Sequence, residues 1–502
     1  MPLSRQKNLT NPRPDGTSSP SIIGAAPEAS QRRQQGARPP KPDRKGARFC
    51  APTGRVCVLS SRLFIDPAGG WPGAAMELDD TLVILLAGGV GERLYPLTRD
   101  RAKPAVYFGG PYRIIDFTLS NCINSGLRHI YIATQYKSLS LTKHIRMGWN
   151  VVSEELGEFI EILPPQKRVG EHWYLGTADA VYQNLYSILR ESPRHVIVLS
   201  GDHVYKMDYA KMLRFHQEKH ADATLAAIEV PVAETARFGI VAIDPSDRVT
   251  AFEEKPQHPT PAPGSPHFAL ASMGIYIFRS EVLERALEED ATQTDSQHDF
   301  GRNIIPSLIH NAGVYAYRFY DENKKAAKYW RDIGTLDAYF EASMDLCDVN
   351  PEFNLYDPEW PLRTYQPQAP PAKFVFAETG RRSGQALDSI ISGGCIISGS
   401  QVVGSILCPN VRVHSFCEIE QSILMPGVRI GRHARVRRAI VDRDVLIPRG
   451  AVIGHDPAED RRRHSVTDNG VVVVTADDEP LIGPISEIAL RFEAEADRGS
   501  KP

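Results

Sequence analysis

Residues 82–106 read LVILLAGGVGERLYPLTRDRAKPAV. The run LVILLA (82–87) is continuously apolar, too short for a buried helix and long enough for a strand covered on both faces. Gly88, Gly89 and Gly91 follow at once. A strand that ends in a turn without side chains brings bare backbone N–H groups to the carboxyl edge of a sheet, where α/β proteins gather their ligands. The spacing is neither that of a P-loop nor the strict G-x-G-x-x-G of dinucleotide folds. Arg93 stands two residues past Gly91, and Lys103-Pro104 begins ten residues later. Two cations beside an anion cradle suit a polyphosphate and a departing diphosphate. On spacing alone, a pair of solvated surface cations is an equal reading.

Further along, HIYIAT (129–134), HVIVLSG (195–201) and ATLAAIEV (223–230) read as buried strands. DFTLSNCINSG (116–126) and TADAVYQNLYSILRES (177–192) read as helices between them. That alternation predicts an α/β domain with a mostly parallel sheet over 78–347. Residues 348–388 are rich in proline and predict an extended connector. Beyond it the period becomes six. Ile391, Ile397 and Val403 are six apart, as are Leu407, Val413 and Ile419; Leu424, Ile430 and Val436; and Val441, Ile447 and Ile453. The four triplets start 16 or 17 residues apart. This pattern predicts a prism of short parallel strands over 389–475, its aliphatic residues stacked inward coil on coil. A β-sandwich would alternate with period two.

The chain has 502 residues, enough for more than one domain. Lys plus Arg total 58 and Asp plus Glu 61, a balance that argues against nucleic acid as the main partner. Cys50, Cys57, Cys122, Cys347, Cys395, Cys408 and Cys417 form no C-x-x-C pair, which reads as reduced thiols and a cytoplasmic protein rather than a zinc site. No apolar run approaches the roughly 20 residues of a membrane span, and no secretory signal opens the chain. Residues 1–77, rich in Arg, Pro, Ser and Gly, predict disorder. Their arginine and serine excess also suits a transit segment, and Met76 is a second candidate start. Residues 476–502 read as a tail.

AGGVGERLYPLT with RAKPAV resembles the signature of sugar-nucleotide pyrophosphorylases. RAKPAVYFGGPYRIIDFTLSNCINSG resembles more narrowly the bacterial ADP-glucose pyrophosphorylase family. The resemblance runs on through WYLGTADAVYQN, LSGDHVYKMDY, FEEKP, LASMGIYIF, HDFGRNIIP, YWRDIGTLDAYF and SGGCIISGS, and covers residues 82–475. It implies a Rossmann-like nucleotidyltransferase domain followed by a left-handed parallel β-helix, and adenylyl transfer from ATP to glucose 1-phosphate. Asp202 and Asp332 would hold Mg²⁺, and Arg93 and Lys103 would meet the phosphates. Gly88, Gly89, Gly91, Gln135, Gly176 and Thr177 would bind the nucleotide, although Thr177 also reads as a plain helix cap. Tyr174, Gly239, Glu254, Lys255 and Ser272 would bind glucose 1-phosphate.

The resemblance also implies a homotetramer and an anionic allosteric effector at Arg101, Arg113, Arg190 and Arg443. Tyr107 stands where enterobacterial relatives carry histidine. Relatives activated by fructose 1,6-bisphosphate carry lysine where this chain has Asp100, and basic residues where it has Asp477 and Asp478. Weak activation by that bisphosphate, or none, is therefore expected. His414, His433 and His455 lie in the six-period region and are not read as catalytic bases. A non-catalytic regulatory subunit of the same fold, and a pyrophosphorylase for another nucleotide, are the alternatives to an adenylyltransferase.

Overall fold

The computed structural model describes residues 78–89, 91–165, 173–325, 328–378 and 382–478. The expected disorder over 1–77 and nearly all of the expected tail lie outside the described residues.

The strands of three or more residues in the first domain are β1 (Thr81–Leu86), β2 (His129–Ala133), β3 (Phe159–Leu163), β4 (His195–Ser200), β5 (His203–Tyr205), β6 (Ala223–Pro231), β7 (Gly239–Ile243), β8 (Val249–Glu254), β9 (Phe268–Arg279), β10 (Val314–Arg318) and β11 (Trp330–Asp332). Nine of them form one sheet in the order β8-β7-β9-β4-β1-β2-β3, with β6 along the other edge of β9 and β10 beside β6. β1 lies between β4 and β2, parallel to both, and β3 extends the parallel run. The carboxyl ends of these four strands therefore face one way, and the glycine loop leaves from the middle of them. β9 is antiparallel to β4, β6 and β7, and β8 is antiparallel to β7. These reversals carry Gly239, Glu254 and Ser272 to the same end as the loop.

Alternation within β1 explains its burial on both faces. Val83 and Leu85 join one hydrophobic cluster, Leu82 and Ile84 the other. Helix α1 (Ile114–Asn124) is buried along almost its whole length. Its Asp116 is a buried carboxylate with four donors. It accepts from the Arg113 amide at 2.7 Å, Trp149 Nε1 at 2.8 Å and Thr364 Oγ1 at 2.6 Å, and meets His144 Nε2 at 2.6 Å. The helix expected over 177–192 is interrupted. It consists of α2 (Thr177–Tyr182) and α3 (Leu185–Arg190). Asn184 causes the break, because its side-chain Nδ2 takes the Ala180 carbonyl at 2.8 Å while its own N–H goes to Val181.

One boundary differs from expectation. The connector is laid along α1: Trp360 Nε1 donates to Asn121 Oδ1 at 2.8 Å and Asn124 Nδ2 to the Pro361 carbonyl at 2.9 Å. It also ends early, because strands Lys373–Val375 and Gln385–Leu387 already stack in register on 396–398 and 401–403. The β-helix thus begins before residue 389. It has three parallel faces, and Ile397, Leu407, Val413, Ile419, Leu424, Ile430, Val436, Val441, Ile447 and Ile453 are fully buried inside it. Ile391 and Val403 are the exceptions, and Val403 shows why. Val402 pairs with Ile419 and is buried, whereas Val403 pairs with Glu420 and is only half-buried. The corner at Gly399-Ser400 is one residue tighter than six-residue spacing requires. Its Ser400 hydroxyl is fixed by the His414 carbonyl and the Cys417 amide.

A shared core joins the two domains. Ile406, Ile423, Met425, Ile440 and Val473 from the β-helix pack with Leu94, Leu97, Val106, Phe108 and Phe117 from the first domain.

Candidate functional site

The glycine loop opens into a cavity of ≈ 1030 Å³ at the carboxyl ends of β1, β2 and β4. Gly88, Gly89, Gly91, Arg93, Lys103, Gln135, Tyr174, Gly176, Thr177, Asp202, Gly239, Glu254, Lys255, Ser272 and Asp332 all line it. Residues separated by more than 200 positions thus meet at one place.

Gly91 has φ +68°, and a Cβ there would stand 3.1 Å from Lys103 Cβ and from Thr98 Cγ2. The Thr98 hydroxyl donates to the Gly91 carbonyl at 2.8 Å and holds the turn. This closeness brings Lys103 under the loop. Lys103 Nζ donates to Asp202 Oδ2 at 2.8 Å and to Asp332 Oδ1 at 3.1 Å. Lys103 is buried and each carboxylate side chain is about one-third exposed. Burial works against the Lys103 charge, but the two aspartates outweigh it and raise its pKa. At Asp202 burial likewise opposes ionisation. His203, Lys103 and the Ser200 hydroxyl overcome it and hold the carboxyl well below its usual range.

Asp202 follows β4, and β11 brings Asp332 opposite His203 of β5. One ligand atom from each of Asp202, His203 and Asp332 lies within 4.8 Å of the others. Two hard carboxylates and one imidazole at that spacing fit a divalent cation. Arg93 approaches the same corner, since a Cβ on Gly334 would stand 2.9 Å from Asp332 Oδ2 and 3.3 Å from an Arg93 Nη.

The other wall is built by β7, β8 and the start of α2. Lys255 Nζ lies 3.3 Å from Glu254 Oε1 and is half-exposed. The Tyr174 hydroxyl accepts from Asn184 Nδ2 at 2.9 Å, and Gln135 Nε2 donates to the Tyr174 carbonyl at 3.5 Å. Gly176, not Thr177, is the cap of α2. A Cβ at Gly176 would stand 2.3 Å from the His298 carbonyl, which accepts the amides of Ala178 and Asp179. Those N–H groups are therefore spent within the fold and do not face a base. The Thr177 hydroxyl donates to Asp299 Oδ2 at 2.9 Å and accepts from the Phe300 amide at 3.1 Å.

The effector arginines do not line this cavity, and Arg101 is turned inward. Its Nη2 makes a two-pronged contact with Asp442, at 2.8 and 2.9 Å, and it is almost wholly buried. It does not offer its charge to a soluble anion. Arg113 donates to the Ser140 carbonyl and hydroxyl and lies 4.9 Å from the Tyr107 ring centroid. Arg190 is highly exposed on α3, beside Glu191. The Arg443 amide donates to Asp442 Oδ1 at 2.7 Å. Asp100 and Asp477 both pair with Arg99. Sequence reasoning missed His203, Phe238, Asp299 and Trp330 in the cavity. His203 directly follows Asp202 and Asp299 sits within HDFGRNIIP, so both lay inside stretches already singled out.

Residues 82–349 match the family model described as nucleotidyl transferase, and residues 370–474 the one described as GlmU-like, C-terminal hexapeptide. The glucose-1-phosphate adenylyltransferase of Koribacter versatilis is 59% identical over 400 residues, 79% of this chain and 96% of the relative. That of Rhodopirellula baltica is 53% identical over 410 residues, covering 81% and 92%. That of Paramagnetospirillum magneticum is 52% identical over 427 residues, covering 83% and 99%. With a nucleotidyl transferase domain followed by a hexapeptide β-helix, and with relatives more than half identical over most of its length, the chain belongs to the glucose-1-phosphate adenylyltransferase family of nucleotidyl transferases.

Proposed function

We propose that the chain transfers the adenylyl group of ATP to α-D-glucose 1-phosphate, giving ADP-glucose for glycogen-type α-glucan synthesis and releasing diphosphate. The observation that carries this reading is the meeting of Lys103, Asp202 and Asp332 beneath the glycine loop. An oxygen of the sugar phosphate attacks the α-phosphorus, the new O–P bond forms, and the bond to the β-phosphate oxygen breaks. Such a transfer needs alignment and charge neutralisation more than covalent help. The backbone of Gly88 and Gly89 lies bare against the triphosphate. Arg93 meets the departing diphosphate, and Lys103 meets the α-phosphate as charge develops. Lys255 holds the phosphate of glucose 1-phosphate, with Glu254, Tyr174, Gly239 and Ser272 around the sugar. Gln135, Gly176 and Thr177 bound the nucleotide side. Asp202 and Asp332 would hold Mg²⁺, which would neutralise phosphate charge there.

Retention of Arg93, Lys103, Asp202, Lys255 and Asp332 in one cavity favours catalysis over a regulatory scaffold. The five described cysteines, all free thiols, support a cytoplasmic setting. Among the described residues no helix is long and apolar enough to cross a membrane. We read the assembly as a homotetramer. Arg113, Arg190 and Arg443 are the arginines left for an anionic effector, because Arg101 is engaged by Asp442. The test is diphosphate release with ATP, UTP, CTP and dTTP, each with glucose 1-phosphate. Release with ATP well above the rest is expected. Release led by another nucleotide overturns the base assignment, and no release with any overturns the enzyme.

A further inference from the structure

His203 has no part in the transfer just described, yet it stands at the carboxylate pair. β5 and β11 are antiparallel, and their register places His203 directly across from Asp332. Residues opposite one another in such a pair project to the same face. His203 Nε2 lies 3.6 Å from Asp202 Oδ1 and 3.8 Å from Asp332 Oδ1. Two donors held about 2.1 Å from one ion stand at most about 4.2 Å apart, so both separations suit a shared cation. The ring is mostly buried and packs on Trp330, with centroids 5.1 Å apart. Its Nδ1 is enclosed and has no partner among the described residues. Packing thus sets the ring, and the nitrogen turned to the carboxylates is Nε2.

We infer that His203 is a nitrogen donor of the cation site, and so sets its metal preference. The inference rests on Asp202 and Asp332 being cation ligands. An imidazole nitrogen is a softer donor than carboxylate or water and favours transition ions over Mg²⁺. The site therefore takes Mn²⁺ and Co²⁺ more readily than two carboxylates alone would.

The full chain is charged with Mn²⁺ and inorganic diphosphate, which contains no nitrogen, and studied by pulsed electron paramagnetic resonance. A nitrogen modulation on bound Mn²⁺ is expected, and it changes when histidine alone carries the heavy nitrogen isotope. Asp202→Asn should abolish bound Mn²⁺, which ties the signal to this site. His203→Asn should remove the modulation and lower the Mn²⁺-to-Mg²⁺ affinity ratio by about tenfold. Bound Mn²⁺ without histidine coupling in the unsubstituted chain overturns the inference and leaves the carboxylate reading standing. Failure of the unsubstituted chain to bind Mn²⁺, or binding that survives Asp202→Asn, overturns both.

Discussion

Gly91 shows how a single hydrogen in place of a side chain shapes this site. Its φ of +68° strains any other residue, and an added Cβ would crowd Lys103 and Thr98. Gly91→Ala is expected to lower kcat by about tenfold or more, because Lys103 shifts relative to both aspartates. Gly264 is the control. It also has positive φ, +86°, but open space around its Cβ position. Gly264→Ala should lose about 1 kcal/mol from backbone strain alone and leave kcat unchanged. Steady-state kinetics beside a thermal melt separates the two. The glycine turn with its two cations hinted at an anion cradle, whereas the two aspartates and the residues of the other wall were reached only through the family resemblance of the stretches that hold them. His203 was not legible, since one histidine after an aspartate carries no meaning until Asp332 is brought opposite it. Arg101 shows the converse: a cation read as anion-binding is consumed by Asp442, more than 300 residues away.

Among the elements, the β-helix was legible from aliphatic period, and its handicap was local. A corner tightened by one residue moves the buried side chain from Val403 to Val402, and counting by six cannot see it. Val402→Ala should therefore cost about 2 kcal/mol and lower Tm, while Val403→Ala should cost under about 0.5 kcal/mol. Equal effects would refute the register. The break between α2 and α3 escaped for a related reason, a side chain replacing a backbone donor. The parallel half of the sheet holds a different device. His195 of β4 and His216 of the helix Tyr209–Glu218 stack edge to face at 5.1 Å. Burial, then Arg194 and Arg279, pushes His195 down to about 4; burial, then His195, pushes His216 down to about 3. Unfolded, both take protons near pH 6.5. Below about pH 6.5 the unfolded chain binds protons that the folded chain refuses, so stability falls as pH drops toward about 4. Tm measured from neutral to acid should show this fall, and His195→Gln should flatten it. A slope unchanged by that substitution would contradict the assignment.

The whole molecule is held by a common core and by Arg101–Asp442, a buried pair linking the loop before Lys103 to the β-helix. Asp442→Ala leaves a guanidinium buried and unpaired, an expected loss of about 3–5 kcal/mol, whereas Arg101→Met with Asp442→Leu should recover most of it. Chemical denaturation of the single and double variants decides. Asp100 and Asp477, drawn to Arg99, keep acidic groups where a bisphosphate would need cations. Fructose 1,6-bisphosphate titrated against initial rate should therefore raise it little, and strong activation at micromolar levels would contradict that. Domain order was legible at this scale, but the seam between domains was not, because its contacts join residues far apart in sequence. The most direct measurement is diphosphate release from ATP and glucose 1-phosphate by the unsubstituted chain, Asp202→Asn and Asp332→Asn, each with its melting curve. Robust release by the first and a fall of about a thousandfold in kcat for both variants, with Tm little changed, is the expected result. A folded variant of either kind that keeps near-full kcat would contradict the carboxylate pair as the centre of the reaction.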